Sequence, residues 1–308
     1  MNSPVQDPVQ KENTNYPKVS IVIVNWNSYE DTLDCIESIS NIKYENHEII
    51  IVDNGSTDCS GEQLEHDFEH INVIFNETNR GFSGGVNTGL EQAIEAGSDY
   101  ALILNNDTIA ESDFLRPLVE TAEQHTRVGI VTGILRFHES GEVQSAGRSF
   151  HKKFVKSPHW NDICSDCPYE TECVSGALAL FSTAFLEECG LLDESYFFAM
   201  EDVEISWRAR INSWKLMVAP ESVVYHKGGV TSTDTPFTWY HRIYGRLQFA
   251  SDYLTRSEIS FFYFFLIFKI GRNMINWVIN GHIDVIWSVL KAGVDFTTGK
   301  DAQANPNW

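Results

Sequence analysis

From Val19 onward, apolar runs and amphipathic stretches follow one another in a regular order. The run VSIVIVNW predicts a strand. In SYEDTLDCIESIS, residues Leu33, Ile36 and Ile39 recur at helical spacing behind the candidate N-cap Ser28, and HEIIIVDNGS reads as a second strand. A helix-turn region leads to INVIFNE, a third strand. VNTGLEQAIEAG then places Val86, Leu90, Ala93 and Ile94 on one helical face with Gly97 as its stop, and YALILNND is a fourth strand. This βαβαβαβ order predicts an α/β fold around a mostly parallel sheet covered on both faces.

Sheets of that kind bind ligands outside the carboxyl ends of their strands. Here those ends read Asn25-Trp26-Asn27, Asp53-Asn54-Gly55-Ser56-Thr57-Asp58, Asn79-Arg80-Gly81-Phe82-Ser83-Gly84-Gly85 and Asn105-Asn106-Asp107. Four polar loops converging on one sheet edge suit a nucleotide better than any single motif does.

Further along, SDFLRPLVETAEQ predicts a helix, VGIVTGILRF and ECVSGALALFS predict strands, and TAFLEECG a short helix ended by Gly190. In ESYFFAMEDVEISWRARINSW the acids Glu201, Asp202 and Glu204 open a helix that carries Arg208 and Arg210 later on. Acids first and bases last suit the helix dipole, yet that does not explain why the apolar YFFAM stops at paired acids. Near the end, ISFFYFFLIF is an apolar run of ten residues, too short to span a bilayer. With NMINWVINGHIDVIWSVLKAGV behind it, two helices are expected that either pack on the domain or touch a membrane surface through residues 259–294.

Composition narrows the field. The 308 residues are 43% hydrophobic, enough for a substantial core. A formal charge of -21 excludes sequence-independent nucleic-acid binding and suits a high-salt cytoplasm. The opening MNSPVQDPVQKENTNYPK has no apolar core of a signal peptide, so residues 1–17 read as a flexible arm. Six dispersed cysteines favour a reducing compartment, the cytoplasm or the cytoplasmic face of its membrane. Cys164, Cys167 and Cys173 with His159 could hold zinc or remain free thiols.

Taken in order, VSIVIVNWN, IIIVDNGSTD, NRGFSGGVNTGL, LILNNDT, VSGALALFS, FFAMEDVEISWRAR, VVYHKGG and RIYGRLQFA resemble the family 2 glycosyltransferases of the rhamnosyltransferase-like kind. The match covers about residues 18 to 250. The resemblance implies a GT-A nucleotide-sugar-binding fold over 18–230, followed by a C-terminal helical region over 231–308. It implies inverting transfer of a sugar from a nucleoside diphosphate donor to a hydroxyl on a glycan or lipid-linked acceptor. Asp53 would read the base, with Asn25, Asn27, Gly55, Arg80, Gly81 and Asn106 around the nucleotide. Asp107 matches the last acid of the family's D-x-D metal motif, and Asn105 stands where many members have the first acid. His226 would complete the shell of a divalent metal, Mn²⁺ or Mg²⁺. Asp202 corresponds to the catalytic base, and Glu201 orients it or binds the acceptor.

The chemistry agrees with these roles. Departure of a nucleoside diphosphate builds negative charge that a cation on Asp107 can stabilise, and the attacking hydroxyl needs a carboxylate to take its proton. Bland readings stand beside them: Asp53 is also an ordinary turn residue, and the glycines from 81 to 89 also serve tight turns and helix-sheet packing. Arg208 and Arg242 suit a diphosphate or the surrounding acids. The competing function is a non-catalytic nucleotide- or glycan-binding module, supported by Asn105 alone. A nucleotidyltransferase lacks its glycine- and cation-rich signature at the first strand end.

Overall fold

The computed structural model describes residues 16–228 and 235–302. Most of the arm expected over 1–17, and the expected junction at 230/231, lie outside the described residues. The first strands alternate with helices as the pattern demands: β1 (Val19–Asn25), α1 (Tyr29–Ile39), β2 (His47–Asp53), α2 (Ser60–Asp67), β3 (Asn72–Phe75), α3 (Gly81–Glu95) and β4 (Tyr100–Leu104). Then follow β5 (Thr108–Ala110), α4 (Leu115–Gln124), β6 (Val128–Phe137), β7 (Val143–Ser145), β8 (Tyr169–Glu170), β9 (Leu178–Ser182) and α5 (Thr183–Cys189). The chain continues through α6 (Glu201–Ile211), β10 (Lys215–His226), α7 (Pro236–Tyr253), α8 (Arg256–Ile279) and α9 (Ile283–Thr297).

The strands form one sheet in the order β3-β2-β1-β4-β9-β6-β10-β5, with β7 and β8 on the sides of β6 and β10. β3, β2, β1 and β4 are parallel throughout, so their carboxyl ends share one edge. β9 runs antiparallel between β4 and β6, which makes the sheet mixed beyond β4. The periodicity of ECVSGALALFS predicts that strand but not its direction, because direction depends on where the chain returns.

Two cores cover the sheet. On one face Ile36 and Ile39 of α1 and Leu118 of α4 pack with Ile21, Ile23 and Leu102; on the other Val86 and Leu90 of α3 pack with Val22, Ile50 and Ile103. α3 begins at Gly81, five residues before the helical pattern starts at Val86, so the glycine-rich loop is its first turn. The glycines explain this: a Cβ on Gly89 would stand 2.2 Å from Val22 Cγ1, and one on Gly85 2.9 Å from Val24 Cγ1. The helix therefore lies closer to β1 than any side chain would allow.

A third core joins the C-terminal helices to the segment around residues 150–203. Tyr240 and Phe249 of α7, Phe262 and Trp277 of α8 and Val289 of α9 bury against one another and against Phe150, Tyr196 and Phe197. Thr255 caps α8 in a reciprocal box with Glu258. The outer faces stay uncovered: on α8 Phe264, Phe268, Ile275 and Ile279 are exposed, and on α9 Ile283, Trp287, Leu290 and Val294 form a stripe at helical spacing. Among the described residues no helix is long and apolar enough to cross a membrane.

Candidate functional site

The ends of β1 and β2 meet in a dense polar network. Asn25, fully buried, donates from Nδ2 to Asp53 Oδ2 at 2.8 Å and to Ser60 Oγ at 2.8 Å, with Ser56 Oγ at 3.2 Å, and its Oδ1 accepts from Thr32 Oγ1 at 2.9 Å. Asp53 Oδ1 takes the Ser56 N–H at 2.9 Å. Asn27, at φ 50°, closes the same turn: its Oδ1 accepts the Thr57 N–H at 2.7 Å and its N–H reaches Ser56 Oγ at 3.0 Å. Gly55 at φ 72° allows the chain to pass against Thr78, where a Cβ would stand 2.5 Å from a backbone carbon. Asp53 thus has a turn-locking role that its place in the sequence already suggested.

Asn54 was not expected and is the hub of the next layer. Its Nδ2 donates to the Gly81 carbonyl at 2.9 Å and to Asn79 Oδ1 at 3.2 Å, while its Oδ1 accepts from Asn76 Nδ2 at 3.0 Å and the Arg80 N–H at 3.2 Å. These bonds fix the start of α3, where Gly81 has φ 75°. The Arg80 guanidinium is occupied by Glu194 at 2.8 Å and Thr88 at 3.0 Å. Asn106 donates to Thr32 Oγ1 at 3.0 Å, which ties the β4 turn to the Asn25 network.

Asp107, next along that turn, faces β10. Its Oδ1 lies 3.1 Å from His226 Nε2, and both side chains are largely buried. His226 Nδ1 is 3.0 Å from Gln144 Oε1, which accepts from it and leaves Nε2 facing the Asp107 carboxylate. His226 Nε2 makes no hydrogen bond among the described residues. Two electron-rich atoms at this distance repel unless a proton or a cation lies with them. The pair fits a divalent ion that takes its remaining ligands from substrate phosphates, as Mg²⁺-type sites do. An all-protein cage does not fit: among the described residues no cluster of three or more His, Cys, Asp and Glu gathers. Lys227 anchors this strand end to Asp31 and Asp34 at 2.9 and 2.6 Å.

The paired acids open α6. Ala199 and Met200 precede them at φ 64° and 79°, a left-handed pair without glycine that costs about 1 kcal/mol or more per residue and turns the chain sharply into the helix. Glu201 is buried, and its Oε2 has no hydrogen bond among the described residues. Burial, reinforced by the charge of Asp202, pushes Glu201 up to about 8, so it is a neutral acid at pH 7. Asp202 is ion-paired to Arg148, a partner 54 residues away that the motif did not reveal. Arg148 also donates to the Val174 carbonyl at 3.1 Å and to the Ser157 carbonyl at 3.2 and 3.3 Å.

These groups surround one space. A Cβ on Gly176 would stand at contact distance from both acids, 3.5 Å from Glu201 Oε1, 3.6 Å from Phe82 and 3.7 Å from Asp202 Cβ, so Gly176 lies beside the pair. The neighbouring Ala177 carbonyl accepts the Asn105 N–H at 3.1 Å, which brings the β4 turn alongside the acids. Asn105 Oδ1 is itself buried without a hydrogen bond among the described residues. His159 feels the charges of Arg148, Asp202 and His226 together. His159 and Cys173 both bridge to Arg148 and lie here, whereas Cys164 and Cys167 are exposed; all three cysteines are free. Arg208 is bidentate to Glu204 at 3.0 and 2.7 Å, which removes it from the site.

A nucleotide-binding α/β sheet with acids at this edge is the architecture of GT-A transferases, and similarity to known proteins specifies the class. The model for glycosyl transferase family 2 matches residues 20–189, and the chain belongs to that family. It is 24% identical over 222 residues to the poly-beta-1,6-N-acetyl-D-glucosamine synthase of Staphylococcus epidermidis, covering 70% of this chain and 52% of that one. A Staphylococcus aureus enzyme of the same name is 23% identical over 209 residues, covering 66% and 48%. The chain thus spans about half the length of these relatives. In structure it is similar to GalNAc-T7 crystallised with UDP, GalNAc and Mn²⁺, at TM-score 0.66 and 18% identity, over 84% of this chain and 53% of that one. It also resembles S. aureus TarS, at TM-score 0.55 and 17% identity, over 81% and 43%. These structural likenesses show the GT-A fold.

Proposed function

We propose that the protein transfers a sugar from a nucleoside diphosphate donor to a hydroxyl acceptor, with inversion, in building a glycan. The observation that carries this reading is the meeting of the Glu201–Asp202 pair with the β4 turn across Gly176. The nucleoside lies over Asn25, Asn27, Asp53 and Gly55, at the carboxyl ends of β1 and β2. Asp53 reads the base through the lone pairs its turn bonds leave over.

Asp107 and His226 would hold a divalent cation, which supplies Lewis-acid stabilisation of the departing diphosphate. Gln144 sets the His226 tautomer for that purpose. Asp202 receives the acceptor hydroxyl's proton as oxygen attacks the anomeric carbon, while Arg148 holds the carboxylate in position. Glu201, neutral at pH 7, donates a hydrogen bond to the acceptor rather than competing for its proton. A single displacement needs one base, which accounts for the different environments of the two acids.

The test is donor binding and turnover. Thermal stability against a panel of nucleotide sugars, with and without Mn²⁺, should single out one donor, and the metal-dependent shift should vanish in Asp107→Ala. Turnover lost in Asp202→Asn supports catalysis; no shift with any nucleotide in folded protein would overturn the reading in favour of a non-catalytic module.

A further inference from the structure

Three features coincide on the C-terminal helices. In a chain with 43 acids against 22 Lys and Arg, no acid falls between Glu258 and Asp284, where Lys269 and Arg272 lie. The outer faces of the two helices leave Phe264, Phe268 and Trp287 at 74%, 65% and 67% exposure. Cations from three segments also converge there. Lys269 is pushed down to about 8 by burial and by the charges of Arg246, Lys156, Arg272 and Arg242. An exposed aromatic face of this extent calls for a partner.

The C-terminal helices also pack against the segments that carry the paired acids and Arg148. Gly245, between Arg242 and Arg246 on α7, packs where a Cβ would stand 3.1 Å from Met200, the residue before Glu201. Phe154 stacks edge-on against Phe261 and Phe265 of α8 at 5.3 and 4.7 Å, and the segment it belongs to carries Arg148, the partner of Asp202.

The charge decides which partner fits. A second copy related by a two-fold axis would bring these cations toward their own counterparts. An anionic lipid surface satisfies both halves: aromatic rings enter the boundary of the acyl layer, and the flanking cations meet the headgroups. The overall charge of -21 repels such a surface, but screening limits that repulsion to about 8 Å at physiological salt, so the local cations dominate at contact.

We propose that α8 and α9 dock the protein on an anionic lipid surface, with Phe264, Phe268 and Trp287 in the apolar layer and Lys156, Lys269 and Arg272 among the headgroups. Resting on the sugar-transfer reading, the consequence is that the acceptor delivered to Asp202 is carried by that surface.

Flotation of the full chain with phosphatidylcholine vesicles, with and without phosphatidylglycerol, tests it without any donor present. Binding should require the anionic lipid and weaken with salt. Lys269→Glu combined with Arg272→Glu should lower vesicle affinity about a hundredfold, and Phe264→Ser, Phe268→Ser and Trp287→Ser together should abolish it, with circular dichroism unchanged. Asp202→Asn should float like the wild type, so failure of the transferase reading leaves this result intact. Wild-type protein that stays with the buffer, or a charge-reversed variant that floats fully, overturns the docking. Conversion of a dimer to a monomer by the aromatic substitutions, in protein that never floats, assigns the face to a second copy and overturns it equally.

Discussion

Two corners of the site differ in how their buried polar atoms are satisfied. Around Asn25, Asp53 and Asn54 the side-chain groups bond to one another and to the backbone of the turns they hold. Around the β4 turn and α6, Asn105 Oδ1, Glu201 Oε2 and His226 Nε2 are buried without hydrogen bonds among the described residues. Leaving such an atom unpaired costs about 1–3 kcal/mol. A saturated network shapes a loop; an unsaturated one stores binding capacity for what arrives later. On the proposed reading, the first corner is a scaffold for the nucleotide, and the second is where metal, phosphate and acceptor would complete the structure.

The largest effect expected from this contrast is on chemistry. Asp202→Asn should lower kcat by about 10²–10⁴ with donor affinity nearly unchanged, the range for loss of a general base; an unchanged kcat would remove Asp202 from that role. In the saturated corner the loss should appear as stability instead. Asn54→Ala removes four hydrogen bonds from a buried hub and should cost about 3 kcal/mol, read as a fall in the denaturation midpoint.

His241 tests whether every orphan atom signals a ligand. Its Nε2 also lacks a hydrogen bond, but Phe197, Phe198 and Phe237 surround the ring, and burial depresses it to about 4 from the usual 6.5. The native state keeps it neutral while the unfolded chain takes up a proton. Its contribution is thus whole above pH 6.5 and is lost as the pH falls toward 4, amounting to about 3 kcal/mol at most. His241→Phe should flatten that acid limb; an unaltered limb would mean that the ring is solvated.

Smaller still, Gln144→Ala should weaken Mn²⁺ binding about 10- to 100-fold by releasing the His226 tautomer, measured by calorimetry with donor present. The smallest effect is expected for Glu201→Gln. Since the native state holds the Glu201 proton while the unfolded chain ionises near 4.5, the amide should leave turnover near pH 7 almost unchanged and stabilise the fold increasingly as the pH rises from about 4.5 to about 8. A large loss at pH 7 would show that the ionised form acts.

The parallel nucleotide half was legible because its signals are local. Each strand and helix there declares itself by its own period, and each strand end carries its own polar residues. The acid pair and Asp107 were legible for the same reason. Arg148, Gln144 and Asn54 were not: Arg148 meets Asp202 and Gln144 meets His226 across long stretches of chain, with no motif at either end. In the linear pattern Arg208 suits a diphosphate or the surrounding acids and Arg80 lies around the nucleotide; in space Glu204 and Glu194 pair with them.

By itself, then, the sequence determined the family and the βαβ order, because periodicity and short motifs depend on near neighbours. Only the tertiary structure decided that β9 runs against its neighbours, that α3 starts within the glycine loop, and which buried polar atoms are satisfied. Those outcomes depend on close approach between segments remote in the chain, where a 2.2 Å clash or a missing hydrogen bond leaves no local trace.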